Sequence, residues 1–266
     1  MLRALALVAP VLAMPAAVAA FDDMDQIISI RVIDGGKGRD GSHVGALHVT
    51  LAPGWKTYWR APGDAGIPPE FSFAGSENVE AVDIAWPTPD VFDQNGMTSI
   101  GYDTELVLPL HITPHDAGLP LHLSGEVSLG ICKDVCIPGH VSFDGMLDPA
   151  ADRSPTIVAA LADRPYSARE AGVTRSACRL APGPHGMQVT ATIDMPPAGG
   201  VETVVFEPSD PMIWASQAEV TRQGNRLIAR ADLGHPDGGF ALDRSGLRIT
   251  VLGRDHAVDI HGCDAG

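Results

Sequence analysis

Turn-forming residues interrupt this chain so often that a long helix has nowhere to run. Pro53-Gly54, Pro62-Gly63-Asp64, Pro68-Pro69, Asn95-Gly96 and Pro138-Gly139 punctuate the first half, and Gly183, Gly199-Gly200, Gly224-Asn225 and Gly238-Gly239 the second. With 29 Gly and 22 Pro in all, the chain suits many short strands joined by turns. The segments between the turns carry strand patterns. Residues Ile27–Ile33 are β-branched, Trp55–Arg60 is short and aromatic, and Glu70–Phe73, Val79–Trp86, Glu105–Thr113, Leu119–Leu129 and His140–Leu147 follow. Val44 and Ala46, then Leu47, Val49 and Leu51, alternate with a one-residue slip that predicts a bulge. Met187–Ile193 and Leu247–Val251 alternate in the second half, with Val201–Phe206, Met212–Ala215 and Leu227–Ala231 between them.

Residues 149–165 differ. Ser154 is placed to cap a short helix, Pro155 sits in its first turn, Ile157, Val158, Ala160 and Leu161 give an apolar face, and Pro165 ends it. The expected fold is all-β, with two antiparallel β-sandwich domains over residues 21–150 and 166–266 and a helical connector over 151–165. Neither half shows the strand–helix alternation of a parallel sheet.

The first twenty residues have the parts of a secretory leader. Arg3 is their only charge, an apolar Leu- and Ala-rich run follows, and Ala17-Val18-Ala19-Ala20 closes it. Cleavage is expected after Ala19 or Ala20, giving an exported, periplasmic protein. The chain carries 18 Lys and Arg against 33 Asp and Glu, net −15. So acidic a surface repels phosphate backbones, so nucleic acid is not an expected partner. Patterns such as G-x-S-x-G, H-E-x-x-H or a phosphate loop are absent. His43, His48, His111, His115 and His122 show no metal-ligand spacing. No cofactor is expected.

An exported chain with an even number of cysteines invites disulfides, and this one has Cys132, Cys136, Cys178 and Cys263. Cys178 and Cys263 would close a long loop across the second half, which suits a structural staple of about 4–5 kcal/mol in the chain-entropy model. Cys132 and Cys136 would close a loop worth only about 2 kcal/mol on the same formula, which makes a poor staple. Fully extended, positions 132 and 136 would lie about 13 Å apart, whereas a disulfide needs about 5.5 Å between Cα atoms. The chain must therefore turn between them. Gly130 and Pro138-Gly139 favour a turn over a helix. A bridge in a tight loop is easily exposed, and such bridges are the labile or catalytic ones. Lys133 would raise the thiolate fraction slightly and Asp134 would oppose it. The spacing leaves two alternatives open: a permanent bridge that shapes a binding surface, or a zinc or copper(I) site built from Cys132, Cys136 and His140.

The segment Gly130–Pro138 (GICKDVCIP) resembles the cysteine motif of the periplasmic amino-terminal domain of DsbD-type disulfide reductases, including the copper-suppressor branch ScsB. Gly54–Phe73 (GWKTYWRAPGDAGIPPEFSF), Trp86-Pro87 and Ile100–Leu110 (IGYDTELVLPL) extend the resemblance over residues 21–150. The second half resembles the carboxyl-terminal part of longer branch members. The resemblance implies an immunoglobulin-like fold and thiol–disulfide exchange. Electrons would come from a thioredoxin-like partner and pass to periplasmic substrate proteins. Cys136 would form the mixed disulfides and Cys132 would resolve them. The thioredoxin-like protein and a membrane electron carrier are expected from other chains, because this sequence contains neither a multi-span segment nor a C-x-x-C. Family members shield the pair with an aromatic-bearing loop. The corresponding stretch, Asp93–Gly101, has no aromatic. Met97 is therefore the expected cover, flanked by Phe92 or Tyr102, in a lid spanning about residues 90–102. Tyr58 and Trp59, with Trp55, are candidates either to line the site or to fill the core.

Overall fold

The computed structural model describes residues 24–266 apart from Arg39, Ala65, Asn95 and His185. The leader and its cleavage position lie outside the described residues. After one helical turn, α1 (Met24–Ile27), the first half runs through β1 (Ile28–Lys37), β2 (His43–Leu51), β3 (Lys56–Tyr58), β4 (Glu70–Ser72), β5 (Val79–Ile84), β6 (Asp90–Gln94), β7 (Met97–Asp103), β8 (Glu105–Pro114), β9 (Leu121–Cys132) and β10 (Cys136–Leu147). Helix α2 (Pro155–Ala162) follows. The second half contains β11 (Tyr166–Ser167), β12 (Arg175–Gly183), β13 (Gly186–Asp194), β14 (Thr203–Glu207), β15 (Trp214–Ala215), β16 (Glu219–Gln223), β17 (Arg226–Gly234), β18 (Arg248–Leu252), β19 (Ala257–His261) and β20 (Asp264–Ala265).

The fold is all-β and immunoglobulin-like, and each half pairs a four-stranded with a six-stranded sheet. In the first half β1-β2-β8-β5 form the smaller sheet and β10-β9-β3-β7-β6 the larger, with β4 added on β9. The period-two pattern explains the layers. Leu121, Leu123, Val127, Leu129 and Ile131 of β9 turn inward with Leu47, Val49 and Leu51 of β2 and Leu106, Leu108, Leu110 and Ile112 of β8, forming one buried cluster. In the second half β11-β19-β18-β14 form the smaller sheet and β15-β17-β13-β12-β20 the larger, with β16 on β17. Val189, Ala191 and Ile193 meet Leu227, Ala229, Leu233, Ile249 and Val251 in a second cluster.

Two local expectations change. First, the slip at Ala46-Leu47 is not a bulge. The ladder from β2 to β1 and β8 is continuous there, and the irregularity falls between Asp34 and Lys37 of β1. Leu47 belongs to the core and Ala46 faces the other way, yet both are fully buried. The sheet is covered on its outer side too, where α2 lies against β8. Second, residues 90–102 are not a loose lid. They form the paired strands β6 and β7, with Gln94 opposite Met97, and β7 pairs onward with β3. Gly96 takes φ +82°, a left-handed conformation that glycine adopts without steric cost. Helix α2 begins as expected. Ser154 accepts a hydrogen bond from Ile157 N, Pro155 opens the helix, and Ile157 is buried. The Thr88 amide donates to Asp163 O at 2.7 Å just past its end.

The two halves are in contact. Leu252 and Ala257 are part of the first half's buried cluster. Arg60 forms a two-pronged ion pair with Glu207 of β14, Nε to Oε1 at 2.9 Å and Nη2 to Oε2 at 3.0 Å. Gln217 Nε2 donates to Thr98 Oγ1 of β7 at 2.6 Å.

Cys178 and Cys263 are bonded, with Cα atoms 5.7 Å apart. Cys178 is fully buried in β12. The bridge anchors the carboxyl-terminal strand: β20 pairs with β12, and Gly266 N donates to Cys178 O at 3.1 Å. Replacing both residues by alanine is expected to lower the unfolding free energy by about 2–4 kcal/mol. Thermal and denaturant melts check this, and unchanged melting contradicts the staple.

Candidate functional site

The β9–β10 hairpin builds the site. Its strands pair in unbroken antiparallel register from Leu121 opposite Leu147 to Cys132 opposite Cys136. Only Lys133, Asp134 and Val135 remain to close the turn, tightened by Lys133 N donating to Val135 O at 3.3 Å. A three-residue hairpin loop places positions i and i+4 directly across from one another. The two sulfurs are bonded, and their Cα atoms stand 4.1 Å apart.

The two halves of this bond have different surroundings. β9 is an inner strand, with β10 on one side and β3 on the other, so Lys56 faces Cys132 across the ladder. Cys132 is only 1% exposed. β10 is the edge strand, where Pro138 removes a ladder donor at no cost to an inner neighbour. Cys136, beside the turn on that edge, is exposed.

Strand parity then selects the side chain that meets the sulfurs. Lys56 lies opposite Cys132 and Thr57 opposite Ile131, so Tyr58 stands level with Gly130. Tyr58, Gly130 and Cys132 therefore share one face. The tyrosine ring lies directly over the glycine. A Cβ at position 130 would come within 2.8 Å of two Tyr58 ring carbons and 2.9 Å of Ile67 Cβ. Laid flat by this gap, the ring brings its hydroxyl to 2.7 Å from Cys132 Sγ and 3.0 Å from Cys136 Sγ. Disulfide sulfurs carry no hydrogen, so the phenol donates. Burial pushes the Tyr58 pKa above its ordinary value of 10, which keeps that proton in place.

The same parity removes two of the expected site residues. Trp59 follows Tyr58 and turns inward, where it is fully buried. Tyr102, opposite Thr57, also belongs to the core cluster, and its hydroxyl donates to Pro87 O at 2.9 Å. Neither flanks the sulfurs. Phe92 packs under Lys56 instead, with Nζ 3.9 Å from its ring centroid. Met97 is half exposed at the start of β7. It lies four residues, about 13 Å of strand, from Gly101, the partner of Tyr58 on β7. The cover expected from Met97 is thus displaced from the disulfide. Lys133 folds back over the Pro53-Gly54 turn, its Cε 3.3 Å from where a Gly54 Cβ would be.

Sequence reasoning missed the segment that does lie beside Tyr58. The connection from β3 to β4 returns at Gly66 and Ile67: a Cβ on Gly66 would sit 2.9 Å from Tyr58 Cδ1. The available signal was the set of glycines at 63, 66 and 130 around an aromatic strand. Thr57 adds a buried bond, its Oγ1 donating to Gly130 O at 3.0 Å.

The metal alternative lacks its geometry. His140 is four residues along β10 from Cys136, about 13 Å, and its Nδ1 meets Ser128 Oγ at 3.0 Å. Among the described residues no three His, Cys, Asp or Glu side chains converge as metal ligands.

What the arrangement can do is break and reform one bond. A thiolate can approach the exposed Cys136 sulfur. The electron pair of the broken bond would then settle on the buried Cys132 sulfur, where the Tyr58 hydroxyl is already placed to donate to it.

Comparison with known proteins supports the resemblance seen in the sequence. Residues 34–147 match the family described as thiol:disulfide interchange protein DsbD, N-terminal. The structure is similar to the crystal structure of the N-terminal periplasmic domain of ScsB from Proteus mirabilis. The TM-score is 0.66 at 24% identity, covering 90% of this chain and 92% of that one. At that identity the likeness establishes the fold. No curated protein sequence matches. Among the described residues no helix is long and apolar enough to cross a membrane.

Hydrogen bonds to charged groups contribute about 1.5–3 kcal/mol. Tyr58→Phe is therefore expected to slow reduction of the Cys132–Cys136 bond by dithiothreitol about tenfold or more. Stopped-flow rates check this, and a rate equal to wild type contradicts the assigned contact.

Proposed function

We propose that this chain, whose residues 34–147 form a domain of the DsbD amino-terminal type, is a periplasmic thiol–disulfide exchange module and acts as a protein-disulfide reductase through Cys132 and Cys136. The observation that carries the reading is the asymmetry of the bonded sulfurs. One is open on an edge strand, and the other is sealed beneath a tyrosine hydroxyl.

The exchange balances as follows. A thiolate of a reduced dithiol partner attacks Cys136 Sγ. The partner–Cys136 bond forms, the Cys132–Cys136 bond breaks, and Cys132 leaves as thiolate with the electron pair. The partner's second thiolate then attacks its own sulfur in the mixed disulfide and releases Cys136. Two electrons and two protons have moved from the partner dithiol to this protein. The reverse sequence on a substrate protein's disulfide passes them on, with Cys136 attacking and Cys132 resolving.

On this reading residues 21–150 are the exchange domain, 151–165 the connector and 166–266 a second sandwich. The leader over residues 1–20 delivers the chain to the periplasm. The donor is a thioredoxin-like protein fed by a membrane electron carrier, and the acceptors are periplasmic proteins with disulfides. Neither step needs a bound cofactor.

The roles of the two cysteines are separable. Cys132→Ser is expected to form a stable mixed disulfide through Cys136 with an oxidised thioredoxin-like protein or an aromatic disulfide reagent. Cys136→Ser, left with only the buried thiol, is expected to react about a hundredfold more slowly or worse. Mass spectrometry of the adducts reads both. Equal reactivity of the two variants would falsify the assignment.

A further inference from the structure

The carboxyl-terminal half reaches toward the disulfide by a continuous path. β3 ends at Tyr58, and Arg60 lies two residues on. Its guanidinium stacks 3.9 Å over the Trp59 ring and forks onto Glu207 of β14 at 2.9 and 3.0 Å. Arg60 Nη2 also reaches Thr250 Oγ1 of β18 at 3.4 Å. Both partners of this ion pair are largely shielded, with side chains 13% and 20% exposed. A two-pronged pair held out of water fixes the chain more firmly than a surface pair does.

Beyond Arg60 the connection to β4 is held at two places. Near its start the Ile100 amide of β7 donates to Pro62 O at 2.8 Å. Gly63, at φ +78°, presses so close to Thr98 that a Cβ would meet Thr98 O at 2.6 Å. Thr98 is the residue that Gln217 of the second half holds at 2.6 Å. Ala61, Pro62 and Gly63 line one wall of a narrow crevice of about 150 Å³, and Val204, Phe206 and Ser216 line the other. Farther on, Gly66 and Ile67 lie against the Tyr58 ring and Gly130. The second half thus grips the strand end on one side of Tyr58 and supports the connection that walls its ring.

We propose that Glu207, through Arg60 and the contacts at Pro62-Gly63 and Gly66-Ile67, is a positioning residue for disulfide exchange, making the carboxyl-terminal half part of the exchange machinery rather than an appended domain. This rests on the exchange reading above. Glu207 touches no sulfur. It holds the backbone from which Tyr58 reaches Cys132 and Cys136. Without it, the tyrosine hydroxyl is held less firmly against the leaving sulfur.

The test is the rate at which dithiothreitol reduces the Cys132–Cys136 bond in the full oxidised chain, read by thiol labelling and mass spectrometry of each cysteine. Labelling of Cys178 and Cys263 serves as the internal check of the fold. Glu207→Gln is expected to slow reduction about fivefold. Gln217→Ala, a change at an exposed contact that leaves the ion pair intact, is expected to slow it about twofold and covers a failure of the first variant to fold. Combining Glu207→Gln with Tyr58→Phe separates positioning from general weakening, because the glutamate change should then add nothing to the tyrosine change. Folded variants that match wild type, or effects that multiply fully with Tyr58→Phe, overturn the inference while leaving the exchange reading intact. A wild-type bond that no thiol reduces sinks the exchange reading, and this inference with it.

Discussion

In the β9–β10 hairpin a turn of three residues obliges positions 132 and 136 to face each other across the ladder, and this register fixes the rest of the site. It sets the sulfurs within bonding distance. It puts one cysteine on an inner strand and the other on the sheet edge. It also aligns Gly130 with the tyrosine of the neighbouring strand. A slip of one residue would turn the whole set toward the core. The fully buried Leu121, Leu123 and Ile131 on the inner face resist that slip, since each would have to exchange places with a polar or small neighbour. The sandwich core therefore serves chemistry at its edge by holding register.

Much of this architecture was legible because strand alternation and turn chemistry are local. The pattern of Leu121 to Ile131, the Pro and Gly punctuation and the Ser154-Pro155 helix start all reappear as β9, the hairpin turns and α2. The pairing of distant Cys178 with Cys263 also followed from spacing and export. The β6–β7 pair was less legible. Its strands carry Asp90, Asp93 and Gln94, and β7 is held by ladder bonds to β3 as much as by burial. The slip at Ala46-Leu47 misled because a sheet covered on both faces loses its clean alternation.

The site divides along the same line. Two cysteines at C-x3-C spacing between a glycine and a Pro-Gly pair call for a turn between them, and the structure makes it a bridged hairpin. Which aromatic residue attends them is a matter of cross-strand parity, and parity depends on a register that a single strand does not encode. Trp55, Tyr58, Trp59, Phe92 and Tyr102 all looked eligible. Only Tyr58 lies on the outer face at the level of a residue with no side chain. The Arg60–Glu207 pair was illegible for a simpler reason: it joins positions 147 residues apart through a tertiary contact without a sequence signature.

The most direct test of the account is a redox titration of the wild-type chain in which each cysteine is labelled and assigned. The account predicts that Cys132 and Cys136 titrate reversibly together within the range of thioredoxin-like couples, about −120 to −270 mV, while Cys178 and Cys263 stay oxidised to below about −300 mV. A Cys132–Cys136 bond as resistant to reduction as the distal one would contradict it.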